Sequence, residues 1–384
     1  MGRNLLAERP TYVVGIGLHR YQHKTDTTYV QLGLTAVRAA LADATITWPD
    51  VETAYTGTAL LGMGASRIML SRLGATGIPM AQVENASASG STAVAQACLD
   101  VASGRTGVAL ALGVDKPRGG LPMAPSEAGI SNLEGGTVVP FTHFALLASE
   151  YMAAHGVTPE QVAGVALKNH RNGARNPFAQ RQQVRSMEEI MADPISGSMT
   201  RLQCCPVGEG ASAVIIASDD GIDRLGIDRS RAVRVLASAT RSEGLYPPGV
   251  GIDAALTVET AQAAFDQAGV GPLDMDVLEV HDAFSIEELL YTEALGFCEP
   301  GQAAFLVESG ELDLGGRCAV SPSGGLLAMG HPIGPTGTGQ VAEVTRQLRG
   351  EAGDRQQPGA RLGLAHMVGV GAVCVVHVLR APGA

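Results

Sequence analysis

Short apolar runs alternate with helical stripes along this chain, and their order occurs twice. The run Thr11-Tyr12-Val13-Val14-Gly15-Ile16-Gly17 is continuous and β-rich, which predicts a buried strand. A helical stretch follows from about Tyr29 to Ala42. Val51–Thr58 then reads as a strand, and a Gly/Ala/Ser-rich turn leads into a helix near Ser89–Ser103. The strand Gly107–Val114 closes this unit. The second half begins again with a strand over Arg231–Ala239 and a helix over Thr257–Ala268, where Ala261, Ala264, Phe265 and Ala268 fall at helical spacing. Met275–Val280 is strand-like, and a Gly-rich turn at Ser323–Gly337 enters a helix reaching about Leu348. Strands over Arg361–His366 and Gly371–Leu379 end the chain.

Strand–helix alternation predicts layered α/β folding, and two copies of it predict a pseudo-symmetric pair of halves, residues 1–225 and 226–384. Residues 115–205 fall outside the repeat and read as an insertion. It carries helices near Phe144–His155 and Pro159–Arg171, the latter capped by Thr158. The strand Ala211–Ser218 returns to the first half.

Composition narrows the class without naming a chemistry. The chain has 384 residues, 45% hydrophobic and 17% charged, with 49 glycines spread through apolar stretches, where they serve tight turns and close contacts. Its net charge of −11 and the absence of a basic run argue against nucleic acid. The six cysteines show no CxxC pairing or metal-ligand spacing, and no stretch approaches the ~18 apolar residues of a membrane span. A cytoplasmic enzyme with reduced thiols and no metal is the expectation.

Three segments could carry chemistry. Asn85-Ala86-Ser87-Ala88-Ser89-Gly90-Ser91 lies between a strand and a helix, where backbone amides can face an anion, although a plain capped turn explains the same residues. His281-Asp282-Ala283-Phe284 follows the strand ending at Val280, the end of an α/β strand where ligands bind. Gly330-His331-Pro332-Ile333-Gly334 presents a histidine between glycines, suited to hydrogen bonding or proton transfer. His366 ends an apolar strand just before Met367-Val368-Gly369-Val370-Gly371, a position where a histidine is more often structural.

Together with Lys168-Asn169-His170, Asn176-Pro177, Cys205-Pro206-Val207-Gly208-Glu209-Gly210-Ala211 and Ser323-Gly324-Gly325, these segments resemble the thiolase superfamily. The resemblance spans nearly the whole chain and points to the sterol-carrier-protein-type and lipid-transfer-protein-like branch. It implies two α-β-α-β-α layered halves with the active site between them. It also implies two departures. The family's nucleophilic cysteine falls on Ser87, and the cysteine of the branch's His-Asp-Cys-Phe motif falls on Ala283. A serine is far harder to ionise than a thiol, and alanine transfers no proton. Claisen chemistry by the family route is therefore not expected.

The resemblance instead suggests a carbon–carbon lyase, a retro-aldolase acting on a β-hydroxyacyl-CoA, since some relatives without these cysteines are steroid side-chain aldolases with a small OB-fold partner. His281 and His331 would stabilise the enolate oxygen. The base would be His366, Tyr246 or Tyr291. Ser87, Gly325 and Gly369 would line the substrate. With three lysines in the chain a Schiff-base aldolase is not expected. CoA would enter only as part of the substrate, and no separate cofactor is expected. A homodimer is expected too, with Leu121, Pro122 and Met123 of the insertion shaping acyl specificity or packing at the dimer interface. Two other readings stay open: a non-catalytic acyl-CoA or lipid-binding scaffold, and an acyltransferase using Ser87 with His331 as base.

Overall fold

The computed structural model describes residues 4–117, 140–246, 252–369 and 373–384; Leu121, Pro122 and Met123 lie outside them. The strands in chain order are β1 Thr11–Gln22, β2 Thr53–Gly57, β3 Met80–Val83, β4 Val108–Asp115, β5 Pro194–Ser196, β6 Met199–Thr200, β7 Glu209–Ser218, β8 Val233–Ser242, β9 Val277–Glu279, β10 Ala319–Val320, β11 Leu362–Gly369 and β12 Val373–Arg380. β5 and β6 pair only with each other. The other ten join in the order β10-β9-β11-β12-β8-β1-β7-β4-β2-β3.

Cut between β8 and β1, that order becomes the same motif twice. One half reads β1-β7-β4-β2-β3, the other β8-β12-β11-β9-β10. Directions agree at every step. The first two pairings of each half are antiparallel and the remaining two are parallel. The halves meet where β1 pairs antiparallel with β8 over Thr11–Val13 and Val233–Val235. This is an α/β architecture of two pseudo-symmetric halves.

Sequence dictates which strands are central. β4 and β7 are buried along their whole length, as their unbroken apolar runs require of strands covered on both faces. β3 and β10 have four and two residues and were not legible as strands, because so short an edge carries no period.

Between the halves lie the helices Ser89–Ala102 and Gly334–Leu348, which pack against each other and against both sets of strands. Both are rich in Gly, Ser, Thr and Ala because their backbones nearly touch. A Cβ on Gly90 would run into the Gly334 carbonyl, and one on Gly337 into Ser91. The helices Tyr29–Asp43 and Ile252–Ala268 cover the outer faces of β1 and β8.

The insertion helix Pro159–Ala174 starts at a capping box of Thr158 and Gln161. Although it belongs to the first half in sequence, it packs on helices Ser285–Ala294, Ala303–Ser309 and Gly325–Ala328 of the second. Among the described residues no helix is long and apolar enough to cross a membrane.

Candidate functional site

Ser87 sits at a forced turn. Ala86, just before it, has φ +49°, a left-handed conformation that costs an alanine energy and that the surrounding contacts must hold in place. The Glu84 carboxylate accepts the Ala86 amide at 2.6 Å, and Ser89 Oγ accepts the Asn85 amide at 2.9 Å. The turn thereby presents Ser87, buried, at the start of the Ser89–Ala102 helix. Gly369 closes on it from the end of β11, where a Cβ would run into the Asn85 carbonyl. That packing is what the structure gives Gly369.

His331 meets Ser87 across the halves, with Nε2 at 3.0 Å from Ser87 Oγ and Nδ1 at 2.9 Å from Thr336 Oγ1. Burial, with His281 adding, holds its pKa well below the ordinary histidine value. The ring is therefore neutral and has one hydrogen to place. On Nε2 that hydrogen donates toward Ser87, and Nδ1 accepts from the Thr336 hydroxyl. On Nδ1 it leaves Nε2 free to take a proton from Ser87.

His281 faces His331 edge-on, ring centroids 5.5 Å apart. Its Nδ1 lies at ion-pair distance from Glu287 Oε1, 3.3 Å, and neither ring nitrogen makes a hydrogen bond among the described residues although the side chain is buried. A buried nitrogen without a partner is costly unless a ligand or water completes it. Two residues on, Ala283 brings no polar side chain to the same turn.

Cys205 comes to this edge, its amide donating to the Ala283 carbonyl at 2.8 Å. Spacing gave no sign of that approach. Burial, with Glu287 adding, pushes its thiol pKa far above neutral, so Cys205 stays a thiol and supplies no thiolate nucleophile.

The remaining candidates separate on placement. His366 is fully buried with both nitrogens engaged: Nε2 lies 3.0 Å from Thr257 Oγ1, and Nδ1 accepts the His281 amide at 3.4 Å. Burial brings its pKa down to about 3. Both ring nitrogens are thus taken up by Thr257 and the His281 backbone. Tyr246 donates to Glu259 on the Ile252–Ala268 helix at 3.2 Å, and no described contact joins it to the histidines. Tyr291 does reach the site. It is buried, donates to Glu287 Oε1 at 3.2 Å, and its ring lies tilted against His366 and His281 with centroids 4.8 and 6.3 Å away.

Gly325, expected to line the substrate, borders a cavity with Ser323 and Leu326; its amide donates to Ser323 Oγ at 3.2 Å and its φ is +59°. A Cβ there would run into Asp282. Its role is to let the Ser323–Gly325 turn close on the His281–Phe284 turn. Asp282 accepts the Leu326 amide and Asn169 Nδ2, each at 2.7 Å. Burial, with Glu288 adding, raises its pKa well above the ordinary carboxylate value. Asn169 also donates to Glu288 at 2.8 Å, and Lys168 pairs with Glu288 at 3.0 Å while donating to the Val320 carbonyl at 2.6 Å. The insertion helix thus buttresses the histidine turn from behind. Among the described residues no group of three or more side chains could hold a metal.

The whole chain can be set beside known proteins on this geometry. Residues 16–191 match the thiolase N-terminal domain and residues 252–380 the thiolase C-terminal domain-like family. Sterol carrier protein 2 of Rattus norvegicus is 37% identical, covering 96% of this chain and 71% of its own length. The benzoylsuccinyl-CoA thiolase subunit BbsB of Thauera aromatica is 34% identical, covering 95% of this chain and 96% of that one. Among solved structures, the Ltp2-ChsH2(DUF35) aldolase superimposes with a TM-score of 0.83 at 24% identity, over 98% of each chain.

Proposed function

The chain belongs to the thiolase superfamily, in its sterol-carrier and lipid-transfer-protein-like branch, and from that premise we propose that it is a carbon–carbon lyase that cleaves a β-hydroxyacyl-CoA by retro-aldol chemistry. The observation that carries the reading is the His281–His331 pair, buried edge to face at 5.5 Å with His281 Nε2 unpartnered, in a site whose two flanking turns hold Ser87 and Ala283 and no thiolate. A retro-aldol step needs no covalent nucleophile. A base takes the β-hydroxyl proton, the Cα–Cβ bond breaks, and its electrons pass into a thioester enolate, leaving a carbonyl product. The enolate then takes the proton at Cα, and acyl-CoA leaves. Neutral His331, with hydrogen on Nε2, points a donor at the place such an enolate oxygen would occupy.

The superposition on an aldolase that works in complex with a DUF35 protein supports the reading at the level of fold, and suggests a small partner chain of the same kind for this protein. A homodimer and a cytoplasmic setting remain part of the proposal.

The 3.0 Å contact of Ser87 with His331 favours one second reading, acyl transfer through Ser87. One experiment separates the two. The purified protein, with any adjacently encoded small OB-fold protein, is given β-hydroxyacyl-CoAs bearing branched or steroidal side chains, and acetyl- or propionyl-CoA release is followed with the carbonyl product. Cleavage that survives Ser87→Ala and collapses in His331→Ala supports the lyase. An acyl-enzyme on Ser87, lost in Ser87→Ala, supports acyl transfer. Tight CoA-ester binding with no product points to a scaffold.

A further inference from the structure

We propose that Glu287 is a positioning residue that makes His281 the general base of this site, by holding the imidazole hydrogen on Nδ1 and leaving Nε2 as the acceptor. The inference rests on the lyase reading for its substrate, but its geometry stands apart from it.

Glu287 is buried and lies on the first turn of the Ser285–Ala294 helix. Its Oε2 accepts the Phe284 amide at 2.9 Å, a capping contact that fixes the carboxylate against its own helix start. Its Oε1 is shared by the Tyr291 hydroxyl at 3.2 Å and His281 Nδ1 at 3.3 Å. A carboxylate has no hydrogen to give, so whatever meets it must donate. The His281 contact is at ion-pair range and Nδ1 has no other partner among the described residues, so Glu287 is the one acceptor placed to take its hydrogen. The backbone cannot drift to break it, because the His281 amide is tied to His366 Nδ1.

The opposite edge of the ring is free. His281 Nε2 has no hydrogen-bond partner among the described residues, and the ring lies edge-on to His331 with centroids 5.5 Å apart. With the hydrogen fixed on Nδ1, Nε2 carries a lone pair aimed into the site. In the tautomer where His331 Nδ1 accepts from Thr336, its Nε2 is the complementary donor. One imidazole accepts the β-hydroxyl proton while the other receives the enolate oxygen. This division of labour replaces the expectation that both histidines stabilise the enolate and that the base is His366, Tyr246 or Tyr291. The proton taken by Nε2 is the one returned to Cα, so the step balances with no further reactant.

The test is Glu287→Gln, which keeps size and shape. The Phe284 amide needs the side-chain oxygen, so the Gln NH2 faces His281 and donates to Nδ1. That forces the hydrogen onto Nε2 and removes the base. ¹⁵N spectra of histidine-labelled protein, with His281 assigned by its loss in His281→Asn, read the tautomer directly. The expected result is an Nδ1–H tautomer in the parent protein and Nε2–H in Glu287→Gln. With cleavage active, kcat falls by on the order of 10²-fold or more while KM stays within about threefold, as for other base-orienting carboxylates. A merely structural Glu287 would lower thermal stability and leave the tautomer unchanged. An Nε2–H tautomer in the parent protein overturns the inference even if cleavage is observed. Absence of cleavage with every substrate tried would overturn the lyase reading and leave the tautomer test intact.

Discussion

Ser87 and Ala283 stand at the two turns where the family resemblance places its cysteines, and the structure treats them differently. Ser87 keeps a polar atom, engaged with His331 at 3.0 Å on a turn held in a left-handed conformation. Ala283 keeps none, yet the turn around it is the more heavily supported of the two. Asp282 is clasped by Leu326 and Asn169, Lys168 braces Glu288, and Glu287 reaches back to His281. The difference teaches that support follows the histidine and not the lost thiol. In the second half, buried polar groups converge to orient an imidazole that has a free nitrogen.

Restoring both thiols is the strongest way to break this comparison. Ser87→Cys with Ala283→Cys should turn an absent thiolysis of 3-ketoacyl-CoA into a measurable one, followed as loss of the 3-keto substrate with added CoA. If the double variant neither reacts nor forms an acyl-enzyme by mass spectrometry, these two positions are not equivalent to the family's cysteines. His331→Ala removes one donor to a developing oxyanion and should lower kcat for β-hydroxyacyl-CoA cleavage by on the order of 10²–10³. A loss confined to KM would assign it to binding alone.

Gly325→Ala tests the support of the histidine turn. A side chain at φ +59° that meets Asp282 should cost about 2–4 kcal/mol, read as a fall in denaturation midpoint at unchanged slope. Glu279, two residues before His281, donates nothing to the chemistry but gives the same region a pH signature. Burial, with Glu343 adding, lifts its pKa from 4.5 to about 8. Between these values the folded protein holds a proton that the unfolded chain has released. Its contribution to stability is therefore complete below about pH 4.5 and is lost as pH rises toward 8. Glu279→Gln should flatten that fall, and denaturant titrations at pH 5 and 8 would show it. The smallest effect is expected of Ser87→Ala, which should change cleavage by less than about threefold.

Much of the scaffold was legible in the chain because burial imposes period. The long strands and helices fell within a few residues of their predicted ends, and Thr158 capped its helix as expected. The site was legible only in part. Ser87, His281 and His331 could be named from their turns, but nothing in spacing told that Ser87 and His331 would meet across 244 positions. That meeting depends on two helices packed so closely that glycine is required at their contact. The partner of His366, Thr257, lies 109 residues away on another element, beyond the reach of any local pattern. Glu287 had a local signal, the acidic third residue of a helix, whose second use toward His281 needs three dimensions.

The chain's three lysines lead somewhere else. Lys168 is sealed in the interior, and Lys116 spends its amine on the carbonyls of Thr25 and Thr27 and on Glu209. Lys24 is exposed. A reagent directed at lysine side chains should therefore modify the folded protein at Lys24 before the other two, so that a fluorophore coupled through lysine reports from one place.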